Sequence, residues 1–421
     1  MKKIALHWQI LIALILAVIC GTAFPDASIG GLAVTEVYDF LGQLFMNALK
    51  MLIVPLVMAS IIVGVAGIGT TEGFGRLGVK TLGYYMLTSL LAIVLGLALV
   101  NVMQPGLVEG RPLHETVELA ANTEEKLAEV SEHSTDSVMQ VFLRMVPPNI
   151  IAAAAEGQML GLITFALLFG FFAAQLTPQR REPVVRFWEG VNDIMLGITD
   201  LVMKFAPLGV FALVAKVFAT TGLEAIVPVL WFALTVLLAL NLHTFVVLPL
   251  LLIVLGRVNP VRHFKAMTPA MITAFSTDSS MATLPVSMDC VERRAGVSNR
   301  TTSFVLPLGA TINMDGTALY ECVAAMFIAQ AYGVEMPFAT QFTVVMLALL
   351  TSVGVAGVPS ASLVAIVIIL NATGLPVEGI GLILAVDRLL DMCRTTVNIF
   401  SDSCGAVIVA RSEGETEILK A

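Results

Sequence analysis

Near the C-terminus, within a segment apolar enough to lie in a membrane, Asp387, Asp391, Arg394, Thr395, Asn398 and Asp402 follow one another at spacings of 4, 3, 1, 3 and 4 residues. At about 100° per residue these side chains fall within an arc of roughly 100° on one helix face. Ionisable groups at bilayer depth are costly, so they face a protein interior or a water-filled cavity and mark a path for substrate or ions. The bland alternative is a self-neutralising polar network between helices, with no ligand. Three carboxylates against one arginine leave negative charge in excess, which calls for a cation or a proton.

A second polar run interrupts the helix expected at about 302–331: Gly309-Ala310-Thr311-Ile312-Asn313-Met314-Asp315-Gly316-Thr317. Asn, Asp and Gly all disfavour a helix interior, and together in a membrane span they predict local unwinding that frees carbonyl oxygens. Carbonyls with Asn and Asp oxygens are hard ligands suited to a cation. A purely structural kink needs Gly or Pro, but it does not need Asp315.

The elements that must hold these residues are apolar. Hydrophobic residues make up 57% of the 421 and charged residues 13%, and the mean hydropathy is +0.91. Soluble domains carry roughly 25% charge, so the composition is that of a polytopic membrane protein. A net charge of −8, with the acids gathered in loops and the C-terminal tail, argues against nucleic-acid binding. Cys20, Cys290, Cys322, Cys393 and Cys404 are odd in number and, Cys290 apart, sit inside apolar stretches, so they read as small buried hydrophobes rather than disulfides or a metal site. Lys2 and Lys3 before an apolar stretch imitate a signal peptide, yet no small-x-small cleavage site follows, and a retained first helix is expected.

Apolar stretches near 8–23, 38–67, 78–104, 138–174, 190–216 and 225–256 mostly exceed the ~20 residues needed to cross a bilayer, so tilted or bent helices are expected. The basic loops are Arg76/Lys80, Arg180/Arg181/Arg186, Arg257/Arg262/Lys265 and Arg293/Arg294/Arg300, whereas 24–36 has no Lys or Arg. The positive-inside rule then puts both termini in the cytoplasm and the acidic 106–137 loop outside, in a multi-pass plasma (inner) membrane protein. That loop has too few large apolar residues for a core and is expected to be weakly ordered.

Toward the C-terminus two segments hold pairs of apolar arms too short to span: 266–292, around Ser276-Thr277-Asp278-Ser279-Ser280, and 339–372, around 352–362. Basic flanks make the first a re-entrant hairpin from the cytoplasm, and flanks without Lys or Arg make the second enter from outside. Hairpins of opposite entry, each followed by a helix with polar residues in its middle, predict an inverted repeat with the site at the midplane.

Asn313-Met314-Asp315-Gly316-Thr317, the tip ending Ala282-Thr283-Leu284-Pro285, Gly357-Val358-Pro359 and the run Asp387 to Asp402 resemble the dicarboxylate/amino acid:cation symporters. That family includes archaeal aspartate transporters, bacterial glutamate symporters and animal excitatory and neutral amino acid transporters. The resemblance covers essentially the whole chain. It implies that Arg394 binds the substrate's side-chain carboxylate, Asp391 its amino group and Asn398 its α-carboxylate, with Ser280, Thr317, Val358 and Thr395 completing the contacts. A guanidinium, planar and charged even when buried, suits the first assignment. Neutral-amino-acid relatives replace that arginine, so Arg394 points to glutamate or aspartate. The resemblance also implies three sets of sodium ligands: Tyr85, Thr88 and Ser89 with Asn313 and Asp315; Gly309, Asn313, Asn398 and Asp402; and Thr311, Met314, Ser352, Val353 and Val355. For Tyr85, Thr88 and Ser89 alone, ordinary helix packing is an equal reading.

The chain departs from the family pattern at several positions. Asp278 stands where animal relatives have serine and archaeal ones arginine, and Arg388 adds a cation beside Asp387. These two are expected to pair in at least one state, unless Asp278 merely faces a cytoplasmic vestibule. Ser360 and Ser362 replace glycines of archaeal relatives, which would stiffen the second hairpin. Glu321 is glutamate as in animal glutamate transporters, where it is associated with proton movement; the alternative is a neutral core glutamate. An ionised carboxyl is expensive to bury, so a proton-carrying role is physically reasonable.

The expectation is an all-α membrane protein, not an enzyme, with eight transmembrane helices and two re-entrant hairpins. By resemblance it is a homotrimer in lipid, with scaffold helices in 1–77 and 138–222, and a mobile unit of 78–105 and 223–421 that slides as an elevator. It would take up acidic amino acids with sodium, with protons and potassium as further candidate ions. The nearest alternative is a proton-driven dicarboxylate or neutral amino acid carrier. An anion channel and an intramembrane aspartyl hydrolase are also open, but Asp391 and Asp402 lie about 16 Å apart on an ideal helix, too far to share a proton.

Overall fold

The structure, a computed structural model, describes residues 6–25, 27–29, 32–68, 74–108, 110–116, 143, 145–156, 158–221, 226–354 and 361–419. Among these, helices dominate. The first two-thirds of the chain gives α1 (Leu6–Ala23), α2 (Val34–Ile68), α3 (Phe74–Met103), α4 (Ile150–Ala155), α5 (Met159–Ala174), α6 (Pro178–Lys204), α7 (Ala206–Thr221) and α8, which starts as Ile226–Leu242 and runs on to Gly256. The remainder gives α9 (Pro260–Thr277), α10 (Ser280–Asp289), α11 (Asn299–Ile312), α12 (Asp315–Ala331), α13 (Phe338–Gly354), α14 (Ala361–Thr373) and α15 (Ile380–Ser412).

Among the described residues three helices, Val34–Ala66, Arg76–Met103 and Ile226–Gly256, are long and apolar enough to cross a membrane. Their outer faces carry Phe40, Leu44 and Met51 on α2, Val94 and Val102 on α3, and Leu230, Leu234 and Phe245 on α8, all exposed. Such surfaces suit lipid tails rather than water.

Proline sets several boundaries. The apolar stretch 190–216, expected as one element, divides at Phe205 into α6 and α7; Pro207 lacks an N–H and fits only in the first turn of a new helix. In the stretch 138–174, a helix starts at Ile150, just after Pro147-Pro148, with Asn149 Oδ1 capping the N–H groups of Ile151 and Ala152 at 2.9 and 3.2 Å. In α8, Pro249 cannot donate to the preceding turn, and wide π-type turns flank it at His243–Val247 and Leu252–Gly256. Of the acidic 106–137 loop, 117–137 lies outside the described residues. Its start is more ordered than its composition suggests: Leu107–Val108 pairs with Arg111–Pro112, and the Leu113 N–H reaches the Gly106 carbonyl at 3.2 Å.

α1 lies on α7, and α2 packs on α5, α6 and α7; α12 packs on α3, α13, α14 and α15, while α9 contacts α10 and α15. Every residue from Asp315 to Ala329 is buried, so α12 is enclosed on all sides, as a central helix must be. Two apolar clusters meet along α15, where Val397 belongs to one and Ile399 and Phe400 to the other. The polar run of α15 lies at that junction.

The C-terminal tail fastens to the same end of α3, α9 and α11. Glu413 pairs with Lys80, whose hydrogen bond holds that carboxyl below the usual glutamate range. Burial would raise Glu415, but hydrogen bonds from the Ser298 N–H and hydroxyl and from Thr301 outweigh it and keep it low. Arg262 donates to the Leu419 carbonyl at 3.0 Å.

Candidate functional site

The expected unwinding is present. α11 ends at Ile312, Asn313 (φ −98, ψ 92) and Met314 (φ −118, ψ 58) are non-helical, and α12 restarts at Asp315. The last carbonyls of α11 and the first N–H groups of α12 lose their partners within the helix. One of those N–H groups, that of Gly316, donates to Asn398 Oδ1 at 2.8 Å, and Asn398 Nδ2 donates to Thr317 Oγ1 at 3.2 Å. Glycine permits the approach: a Cβ at position 316 would lie 2.8 Å from the Arg394 carbonyl oxygen. The break is thus pinned to the middle of α15.

Around it, helices far apart in sequence contribute oxygens. Asn313 Nδ2 donates to Asp402 Oδ1 at 2.9 Å and Ser401 Oγ at 3.1 Å. Asp315 accepts from Ser89 Oγ at 2.7 Å and Ser401 Oγ at 2.6 Å, with His243 Nε2 at 3.1 Å. Thr88 Oγ1 lies 3.4 Å from Asn313 Oδ1. A Cβ at Gly309 would come within 2.5 Å of Asp402 Oδ1 and 2.6 Å of the Tyr85 hydroxyl, so glycine is needed for these groups to converge. The first two proposed ligand sets therefore form one connected cluster, although Tyr85 donates to the Val305 carbonyl at 2.7 Å rather than to the carboxylates. Asp315 and Asp402 are buried, and among the described residues no lysine or arginine pairs with either.

The third set is less compact. Thr311 Oγ1 donates to the Leu308 carbonyl at 2.9 Å and Ser352 Oγ to that of Leu349 at 3.0 Å, each within its own helix. Met314 is buried at the break, Val353 lies in the last turn of α13, and α11 packs on α13. Val355 lies outside the described residues, as do Gly357, Val358, Pro359 and Ser360.

Arg394 is fully buried on α15. Its Nη1 lies 3.1 Å from Asp387 Oδ1, its Nη2 2.7 Å from Asp391 Oδ1 and 3.1 Å from Ser362 Oγ, and its Cζ stands 3.7 Å above the Tyr320 ring. Nε has no partner. Ser362 makes a contact that glycine could not. Arg388 Nη1 pairs with Asp278 Oδ2 at 2.6 Å, and Thr395 Oγ1 donates to Asp278 Oδ1 at 3.0 Å, so Asp278 does not simply face a vestibule. It closes α9 in the left-handed conformation (φ +51), and Ser279 caps α10, which begins at Ser280. Glu321 is buried on α12; Oε2 accepts from Thr351 Oγ1 at 2.9 Å and, among the described residues, Oε1 has no partner. Asp391 pairs with arginines and Asp402 with Asn313, so these two carboxyls form no proton-sharing dyad.

His243, Ser401, Tyr320, Thr351 and Ser362 join the network without having been assigned a place in it from sequence. Only His243 carried a signal, a lone ionisable residue in an apolar span. A serine beside an aspartate, or a tyrosine in a buried helix, is common in any core.

The sequence profile of the sodium:dicarboxylate symporter family (SDF) matches residues 6–412. The chain is similar to a proton/sodium-glutamate symport protein of Geobacillus stearothermophilus, at 37% identity over 415 residues, covering 99% of this chain and 96% of the relative. It is also similar to a proton/glutamate-aspartate symporter of Escherichia coli (strain K12), at 34% identity with 100% and 95% covered. The human excitatory amino acid transporter 2 is 37% identical over 451 residues, with 96% and 78% covered.

Proposed function

The chain belongs to the sodium:dicarboxylate symporter family, and from that premise we propose that it is a secondary active symporter taking up acidic amino acids, glutamate or aspartate, with sodium and with protons as a further coupling ion. As a member of that family it is an integral membrane transporter, not an enzyme. The observation that carries the substrate class is Arg394, a fully buried guanidinium with Asp391 at 2.7 Å. An acidic amino acid matches that pair: its side-chain carboxylate takes the guanidinium fork, its ammonium group takes Asp391, and Asn398 meets the α-carboxylate. Ser280, Thr317, Val358 and Thr395 complete the site in this reading.

Charge explains why cations must accompany the substrate. Among the described residues the cations that face Asp278, Asp387 and Asp391 are Arg388 and Arg394, and Asp315 and Asp402 add two buried carboxylates. Bringing a net-negative substrate into such a low-dielectric site is unfavourable unless cations enter too. Sodium at oxygens of Tyr85, Thr88, Ser89, Asn313 and Asp315, at Gly309, Asn313, Asn398 and Asp402, and at Thr311, Met314, Ser352, Val353 and Val355 would supply them. Hard oxygen donors fit that ion. Asn398 touches both groups, so occupancy of one favours the other.

The finer architecture belongs to the same proposal. Eight spanning helices and two re-entrant hairpins, α9–α10 and α13–α14, build an elevator: 1–77 and 138–222 are the scaffold of a homotrimer in lipid, and 78–105 with 223–421 slide across the membrane, both termini being cytoplasmic. The packing of α1, α2, α5, α6 and α7 on one another supports a separate scaffold.

Radiolabelled uptake into proteoliposomes tests the function. Glutamate or aspartate should accumulate under an inward sodium gradient, and accumulation of only a dicarboxylate or a neutral amino acid under a proton gradient would favour the alternative carrier. The same assay tests Glu321. Enclosed, with a single neutral hydroxyl as donor, it suits a carboxyl that carries a proton in this state. Glu321→Gln keeps the shape, so substrate binding should survive while the response of uptake to an imposed pH gradient falls severalfold. An unchanged response would make Glu321 a structural residue.

A further inference from the structure

One guanidinium at the site is shared by two carboxylates. Arg388 Nη1 lies 2.6 Å from Asp278 Oδ2 and 3.7 Å from Asp391 Oδ2, and among the described residues its Nε has no partner. Asp278 is itself enclosed, its side chain 5% exposed, and it also accepts from Thr395 at 3.0 Å. Arg388 and Thr395 are two turns apart on one face of α15. The α9–α10 tip is therefore fastened to α15 on both sides of Asp391.

We propose that Asp278 is a positioning residue that holds Arg388 off Asp391 Oδ2, the oxygen that Arg394 does not take, leaving it for the substrate's ammonium group while tying the α9–α10 tip over the site. This rests on the assignment of Asp391 to the amino group. Two carboxylates compete for one guanidinium, and in a low-dielectric site the nearer one wins by a wide margin. Arg394 already takes Asp391 Oδ1, so a second guanidinium on Oδ2 would leave an arriving ammonium group no oxygen of that carboxylate. Without a carboxylate at 278, Arg388 would turn to Asp391, its one other carboxylate partner among the described residues and its neighbour three residues on along the helix. The ammonium group would then have to displace it. Asp278 and Arg388 together add no net charge, so the site keeps its balance with both or with neither, and loses it when one is removed alone.

The test is calorimetric titration of the purified protein, in sodium buffer, with L-aspartate and L-glutamate. Asp278→Asn is isosteric, and asparagine tolerates the left-handed backbone, so the tip keeps its shape. Affinity should fall roughly tenfold in Asp278→Asn and return to within about threefold of the parent in Asp278→Asn/Arg388→Gln, where no guanidinium competes. Asp278→Ser, alone and with Arg388→Gln, should repeat the pattern if the asparagine variant does not fold. A merely structural role predicts a double variant no better than the single one, and that result, or unchanged affinity in the single variant, overturns the proposal. Failure of the parent to bind either amino acid would remove the substrate assignment beneath it, whereas a binding parent with additive effects removes only the role of Asp278.

Discussion

Arg394→Cys should lose uptake of glutamate and aspartate and admit small neutral amino acids. The guanidinium is fully buried, and Asp387, Asp391 and Ser362 fix it over the Tyr320 ring. Truncating one member of a desolvated charge pair costs about 2–5 kcal/mol, so affinity for acidic substrates should fall by roughly 30-fold or more. Cysteine also leaves space where the fork stood, and Asp391 remains to hold an ammonium group. Competition of labelled-substrate uptake by glutamate, aspartate, alanine and serine, in parent and variant, reads both changes. Unchanged uptake of the acidic pair would end the assignment of Arg394.

Asp315→Asn should uncouple sodium from substrate. Asp315 sits at the helix break, reached by Ser89, Ser401 and His243, and as a buried carboxylate without a lysine or arginine partner among the described residues it is suited to a bound cation. Coupling between ligands is commonly 1–3 kcal/mol, roughly 5–150-fold in affinity. In the variant, sodium's effect on substrate affinity should shrink to a few-fold at most. Asparagine can accept from one serine through Oδ1 and donate to the other from Nδ2, so loss of coupling with retained, weakened binding separates a cation role from misfolding. A variant with the full sodium dependence of the parent would remove Asp315 from the ion path.

Much of this site is legible in the sequence because two local rules mark it. The period of Asp387, Asp391, Arg394, Asn398 and Asp402 puts them on one face wherever that helix packs, and Asn313, Asp315 and Gly316 predict the break because none of them favours a helix interior. What meets those residues is a tertiary matter. Ser401 is one residue from Asp402, yet it donates to Asp315; Thr351 reaches Glu321 from α13; and Ser362 looks like a stiffened hairpin until Arg394 is seen on its hydroxyl. The pairing of Asp278 with Arg388 follows from charge, since an extra acid among carboxylates needs an extra cation. Its second partner, Thr395, does not. Helix ends show the same division: Pro207 and Pro147-Pro148 interrupt stretches whose hydropathy alone runs on, and local proline sterics override it.

The central claim, that an acidic amino acid enters with sodium through this network, is tested most directly by titrating L-glutamate and L-aspartate binding to the purified protein at fixed pH, with choline replacing sodium stepwise. Linkage requires that if sodium tightens the substrate, the substrate tightens sodium equally. The expected result is an affinity that rises steeply with sodium, matched by substrate-dependent sodium affinity. An affinity indifferent to sodium but steeply dependent on pH would contradict it and transfer the coupling to protons.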